Sequence, residues 1–184
     1  MNASSQTDYS GFAIFLHWLI ALAIFAMLPL GLYMRELPLS PDKLTLYAYH
    51  KWAGMLILLL VLVRLAWRRL NPPPAAPATM SAVEQRVAHG MVHGMYLFML
   101  FVPLTGWLMS SAFGKPVVMF GVLPLPDLVG ADESLGKLFK ILHEVGNYTL
   151  CTLFSLHILA ALKHHFKDHD EVLARMLPFL KRSG

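Results

Sequence analysis

Apolar residues fall into four long runs, at 12–34, 44–67, 83–111 and 135–165, separated by shorter polar or proline-rich breaks. Each run is long enough for an α-helix across a hydrocarbon core of about 30 Å, which needs about 20 residues. The break at 35–43 holds Pro38 and Pro41, and the break at 68–81 holds NPPPAAP, which must be extended and stiff. Residues 113–134 form a longer loop, and its apolar part, VVMFGVLPLP, is too short and too broken to span. That part is expected on the membrane surface. Asp8 or Ser10 is placed to cap the first helix. Pro103 is expected to kink the third, and 167–184 reads as a polar tail. The pattern predicts an all-α, integral membrane four-helix bundle, with residues 1–184 as one domain.

Composition agrees. The chain is 57% hydrophobic, against about 45–50% for soluble domains, and its mean hydropathy is +0.55. The net charge of +4 reads as the positive-inside excess of a membrane protein, and no nucleic-acid role is expected. The first run is too long for a signal peptide and lacks a small-residue cleavage site, so it is expected to stay as a membrane helix. The single cysteine, Cys151, lies inside a run and has no intramolecular disulfide partner.

Membrane lipid is thus the expected surroundings, and ionisable residues within the runs become the candidates for function. The fourth run carries His143 and His157. Their fourteen-residue separation turns an α-helix through about 1400°, close to four turns, and rises about 21 Å. The two imidazoles therefore share a face, one near each side of the hydrocarbon core, as axial ligands for two stacked b-type haems would.

Lysine and arginine set the orientation. Nine of them (Arg64, Arg68, Arg69, Arg86, Lys163, Lys167, Arg175, Lys181, Arg182) lie on the side of the second linker and the C-terminal tail. Six (Arg35, Lys43, Lys51, Lys115, Lys137, Lys140) lie on the other side. Both termini are expected in the cytoplasm. Depth then pairs His50 with His143 on the outer side and His17 with His157 on the inner side. His93, at a depth similar to His17, competes for the inner place. Two imidazoles per iron leave no open position, which suits electron transfer better than oxygen binding.

Arg64 is fourteen residues after His50 and faces the same side at the inner depth. It either pairs with an anionic haem propionate or snorkels to the headgroups. Small residues follow the ligands: Ala53 and Gly54, Gly146, and Ala160 and Ala161. They either leave room for a flat macrocycle or let bare helices pack closely. His89 and His93 share a face at i, i+4 and suit propionate bonding, quinone contact, helix packing or a metal. His164 and His165 sit at a helix C-terminus, where cations suit the dipole; a quinone-pocket or propionate role is the alternative.

FLHWLIALAIF, YHKWAGMLILLLVLVRLAWR, AHGMVHGMYLFMLFVPLTGWLM, and LHEVGN followed by SLHILAALKHHF together resemble the bacterial cytochrome b561 family. The resemblance runs through all four helices in order. It implies a bundle in the bacterial inner membrane with two haem b groups, ligated by His17, His50, His143 and His157. It also implies ubiquinone as electron acceptor and superoxide as donor. Lys51, Lys115, Lys137 and Lys140 then form a cationic group over the outer haem that would concentrate a small anion; ordinary interfacial lysines are the alternative. Two other functions fit the pattern. One is a haem b membrane anchor relaying electrons between a soluble redox partner protein and quinone. The other is a small transporter or structural bundle whose histidines bind no haem.

Overall fold

The computed structural model describes residues 8–77 and 79–180, so Lys181 and Arg182 of the charge count lie outside it. Four helices dominate: α1 (Gly11–Glu36), α2 (Pro41–Leu70), α3 (Ala82–Ala112) and α4 (Glu133–Lys163). Among the described residues these four are long and apolar enough to cross a membrane.

Each helix starts where a short polar side chain catches free N–H groups. Ser10 Oγ accepts from Ala13 N–H at 3.3 Å, so Ser10 is the cap of α1. Ser40 accepts from Lys43 N–H at 3.2 Å, with Pro41 opening α2. Ser81 and Glu84 form a reciprocal capping box at α3. Asp132 Oδ1 takes the N–H groups of Ser134 and Leu135 at 2.8 and 2.9 Å. These caps start every helix one to three residues before its apolar run. At the other end of α1, the Lys43 ammonium donates to the carbonyls of Arg35 and Leu37.

α2 packs on α1, α3 on α2 and α4 on α3, whereas α4 closes only loosely on α1 and α2. A buried core of Ile20, Ile24, Ile57, Val61, Met99 and Leu150 draws on all four helices at mid-depth. Most other apolar side chains face outward, as a lipid surround requires.

The apolar loop is an antiparallel hairpin, β1 (Val118–Met119) with β2 (Leu123–Pro124). Its turn holds Phe120 at φ 54° and Gly121 at φ 75°. Val117 and Met119 are buried, while Phe120, Val122 and Leu123 stay exposed. The hairpin lies across the end of the bundle that carries this loop, called here the loop end. Trp52 donates its indole N–H to Val118 O at 2.6 Å and Trp107 donates to Pro126 O at 3.1 Å.

At the termini end the tail is not simply solvated. α4 runs on into a π-turn, His164–Asp168, and the chain then folds back. Trp18 donates to Met176 O at 2.8 Å and Arg175 to Ala75 O at 2.7 Å. Ala174 is buried. Trp67 donates to Ser10 Oγ at 3.1 Å, so all four tryptophans fasten a loop or terminus to the bundle's ends.

Candidate haem-binding site

The four histidines meet two by two across the loose seam of α4 with α1 and α2. His17 on α1 faces His157 on α4 with ring centres 6.2 Å apart, and His50 on α2 faces His143 on α4 at 6.4 Å. Two imidazoles on opposite sides of one metal, with bonds of about 2 Å and about 1.1 Å from each nitrogen to its ring centre, put those centres about 6.3 Å apart. Both pairs therefore stand at the separation of a doubly ligated iron, and the mid-depth core lies between them.

The rings are aimed by their surroundings. His143 Nδ1 lies 2.9 Å from Val102 O. A carbonyl only accepts, so Nδ1 carries the proton and the Nε2 lone pair is left for a metal. Gly106 backs the same ring: a Cβ there would come within 3.1 Å of His143 Cε1. Gly31 plays the matching part for His50, with a Cβ 3.4 Å from its Cε1. Among the described residues, buried His50 Nδ1 has no hydrogen-bond partner. A cavity of about 60 Å³ lies beside His50 and His143, lined also by Gly54 and Asn147. That is too little for a porphyrin, and side chains of all four helices line it.

The small residues divide between the two readings. A Cβ on Gly54 would meet nothing within 4 Å, so that glycine leaves open space beside His50. Gly146 instead lets α4 press on α3, since a Cβ would meet Phe101 at 3.0 Å and Val102 at 3.1 Å. Gly106→Ala would push the His143 ring by a few tenths of an ångström. If the His143 ring ligates haem b, purified Gly106→Ala protein should then retain less haem per chain.

Arg64 does not snorkel. Its Nε donates to the Tyr96 hydroxyl at 3.0 Å and an Nη donates to Ala13 O at 3.0 Å. This holds the guanidinium inside the bundle, within electrostatic reach of both His17 and His157. His93 is turned outward and donates Nδ1–H to His89 O at 2.7 Å, and His89 is exposed too. Neither shares a site with the four central rings, and neither joins a metal-binding group among the described residues.

The lysines divide as well. Lys51 Nζ donates to Lys115 O at 2.9 Å, which brings those two ammonium groups together with Asp127 nearby. Lys137 is paired with Glu133 at 2.7 Å, which neutralises it. Lys140 is exposed on α4. Arg35 reaches Glu144, the neighbour of His143, at 3.5 Å. Sequence reasoning missed Tyr96, and a tyrosine in an apolar run gives no signal until its partner is placed.

Residues 8–179 match the family described as prokaryotic cytochrome b561. The chain belongs to that family. It is 30% identical to cytochrome b561 homolog 2 of Escherichia coli (strain K12) over 168 residues, 88% of this chain and 86% of that protein. It is 28% identical to cytochrome b561 homolog 1 of the same organism over 182 residues, 97% and 98% of the two chains. It is 26% identical to the probable superoxide oxidase CybB of Yersinia pestis over 170 residues, 92% and 96% of the two. As a cytochrome b561 the protein is a multi-pass bacterial membrane protein that transfers electrons and binds b-type haem. The paired histidines fit that cofactor in donor type, in spacing and in the proton placement at His143.

Proposed function

We propose that this cytochrome b561 is a superoxide:ubiquinone oxidoreductase holding two haem b groups. His50 and His143 hold one at the periplasmic side; His17 and His157 hold the other at the cytoplasmic side, where both termini lie. The observation that carries the reading is the pair of imidazole separations, 6.4 and 6.2 Å, repeated at the two depths. When bound, the haems supply one-electron chemistry, so that two superoxide anions leave as two O2 and one ubiquinone takes two electrons and two protons to become ubiquinol.

The chain's own residues do the rest. Val102 and Gly106 fix the His143 ring and its tautomer. The mid-depth core keeps water away from the path between the pairs. Arg64 supplies a fixed positive charge at the inner pair, positioned for a propionate. Lys51 and Lys115, joined at the loop end, with exposed Lys140 on α4, draw an anion toward the outer pair.

Replacing Lys51, Lys115 and Lys140 with Gln should lower the second-order rate with superoxide several-fold at low salt and flatten its salt dependence. Replacing Lys137, already paired with Glu133, should do much less. An unchanged rate and slope in the triple variant would remove the steering role.

The whole reading is tested by haem quantification with a reduced-minus-oxidised spectrum, then stopped-flow mixing with superoxide and ubiquinone. Two haems per chain and rapid quinone-dependent haem turnover are expected. Colourless protein would end the reading. A haem-loaded protein that ignores superoxide and co-purifies with a soluble subunit would be a relay anchor instead.

A further inference from the structure

The structure assigns a second, separate site: a divalent transition-metal site formed by His164, Asp168 and Asp170, where α4 gives way to the tail. It stands apart from the four central histidines and does not depend on what they hold.

The backbone brings these residues together in an unusual way. Past Lys163 the α-helix widens into the π-turn His164–Asp168, and His169 then takes a left-handed φ of 54°. Asp170 is thereby swung back beneath His164. His164 Nδ1 lies 2.7 Å from Asp170 Oδ2 and 3.2 Å from Asp168 Oδ2, and the three donor atoms are all within 4.8 Å of one another. The group is not a solvated acidic patch, since the side chains of His164, Asp168 and Asp170 are 11%, 23% and 7% exposed.

Charge points to a cation. Lys163 Nζ is shared between Asp168 at 2.8 Å and Glu84 at 3.0 Å. One ammonium therefore serves two carboxylates, while Asp170, the most buried of the cluster's acids, has among the described residues the His164 N–H and the Val172 N–H, at 2.7 and 3.0 Å. A dication balances this cluster better than one lysine does.

Donor chemistry narrows the ion. One imidazole nitrogen with two carboxylate oxygens suits a borderline ion such as Zn2+ rather than Mg2+ or Ca2+, which prefer oxygen alone. Three protein ligands leave a fourth position for water. The ion would take the place of the proton that His164 Nδ1 now shares with Asp170, and a neutral ring would carry that proton on Nε2 instead. It would also clamp the tail, which Trp18 and Arg175 already hold against the bundle.

The test uses full-length haem-loaded protein in detergent, stripped with chelator and titrated with ZnCl2 by calorimetry. One Zn2+ per chain is expected, with a rise in unfolding temperature. Asp170→Asn and Asp168→Asn should each weaken binding at least about tenfold, while His89→Gln with His93→Gln leaves it unchanged. Asp168 is the less buried acid, so its variant keeps the test decisive if Asp170→Asn fails to fold. No saturable uptake, equal uptake by the parent and both Asp variants, or loss in the His89/His93 variant would each overturn the assignment.

Discussion

A His143→Ala protein should purify with one haem b per chain instead of two. On the proposed ligation the lost group is the one shared with His50, whose ring centre lies 6.4 Å from that of His143. The other pair should survive. His157 is about 21 Å further along α4, and Ile20, Ile24, Ile57, Val61, Met99 and Leu150 fill the space between the layers. Haem content by the pyridine haemochrome assay should fall by about half, and His157→Ala should remove the complementary half. With the outer haem gone, the rate with superoxide should drop by orders of magnitude, whereas residual haem should still be reducible by dithionite. Loss of both haems from either single variant would mean that the pairs do not act independently.

An Arg64→Gln protein should keep both haems, but the haem of the His17–His157 pair should become harder to reduce. A cation beside an iron favours the reduced form, which carries one positive charge fewer. Arg64 is pinned by hydrogen bonds of 3.0 Å to Ala13 O and 3.0 Å to the Tyr96 hydroxyl, so its charge cannot swing away. Removing a unit charge several ångströms off at an effective dielectric of about 20 is worth about 2 kcal/mol, or about 90 mV for one electron. A redox titration followed in the α-band should show one midpoint lowered by that order and the other unmoved. Arg64→Lys should restore part of the shift. Equal movement of both midpoints, or of neither, would detach Arg64 from the inner pair.

The sequence was most informative where the bilayer imposes a simple rule. A span must be apolar for about 20 residues, and the four runs at 12–34, 44–67, 83–111 and 135–165 differ from the helices mainly by the caps at Ser10, Ser40, Ser81 and Asp132. The histidine pairs were legible because depth along a helix is a linear count. How one helix is turned against its neighbours is not, and that is why His93 stayed in competition with His17. In the fold His93 is exposed, and its Nδ1–H donates to His89 O one turn back on the same helix.

Arg64 shows the same limit. Its depth followed from a fourteen-residue spacing, but its direction depended on Ala13 and Tyr96, which lie on two other helices. Lys137 was grouped with the outer lysines by position, and its pairing with Glu133 at i−4 shows how a local acid can cancel such a charge. The tail read as polar because its contacts are made by carbonyls, at Met176 and Ala75, which no side-chain pattern records. The His164 cluster was hidden for a different reason: a π-turn and one left-handed residue reset the register, so helical spacing past Lys163 no longer says which side chains meet.

The slack join of α4 to α1 and α2 bears on biogenesis. The chain is two tight hairpins, α1–α2 and α3–α4, touching along α2 and α3. A translocon can therefore thread both before any porphyrin arrives, and the porphyrin can slip in sideways from the lipid. In the proposed ligation each iron would take one imidazole from either hairpin and so work as a rivet between them. Cells starved of haem should then accumulate splayed hairpins, and membrane quality-control proteases should clear them faster than the filled protein.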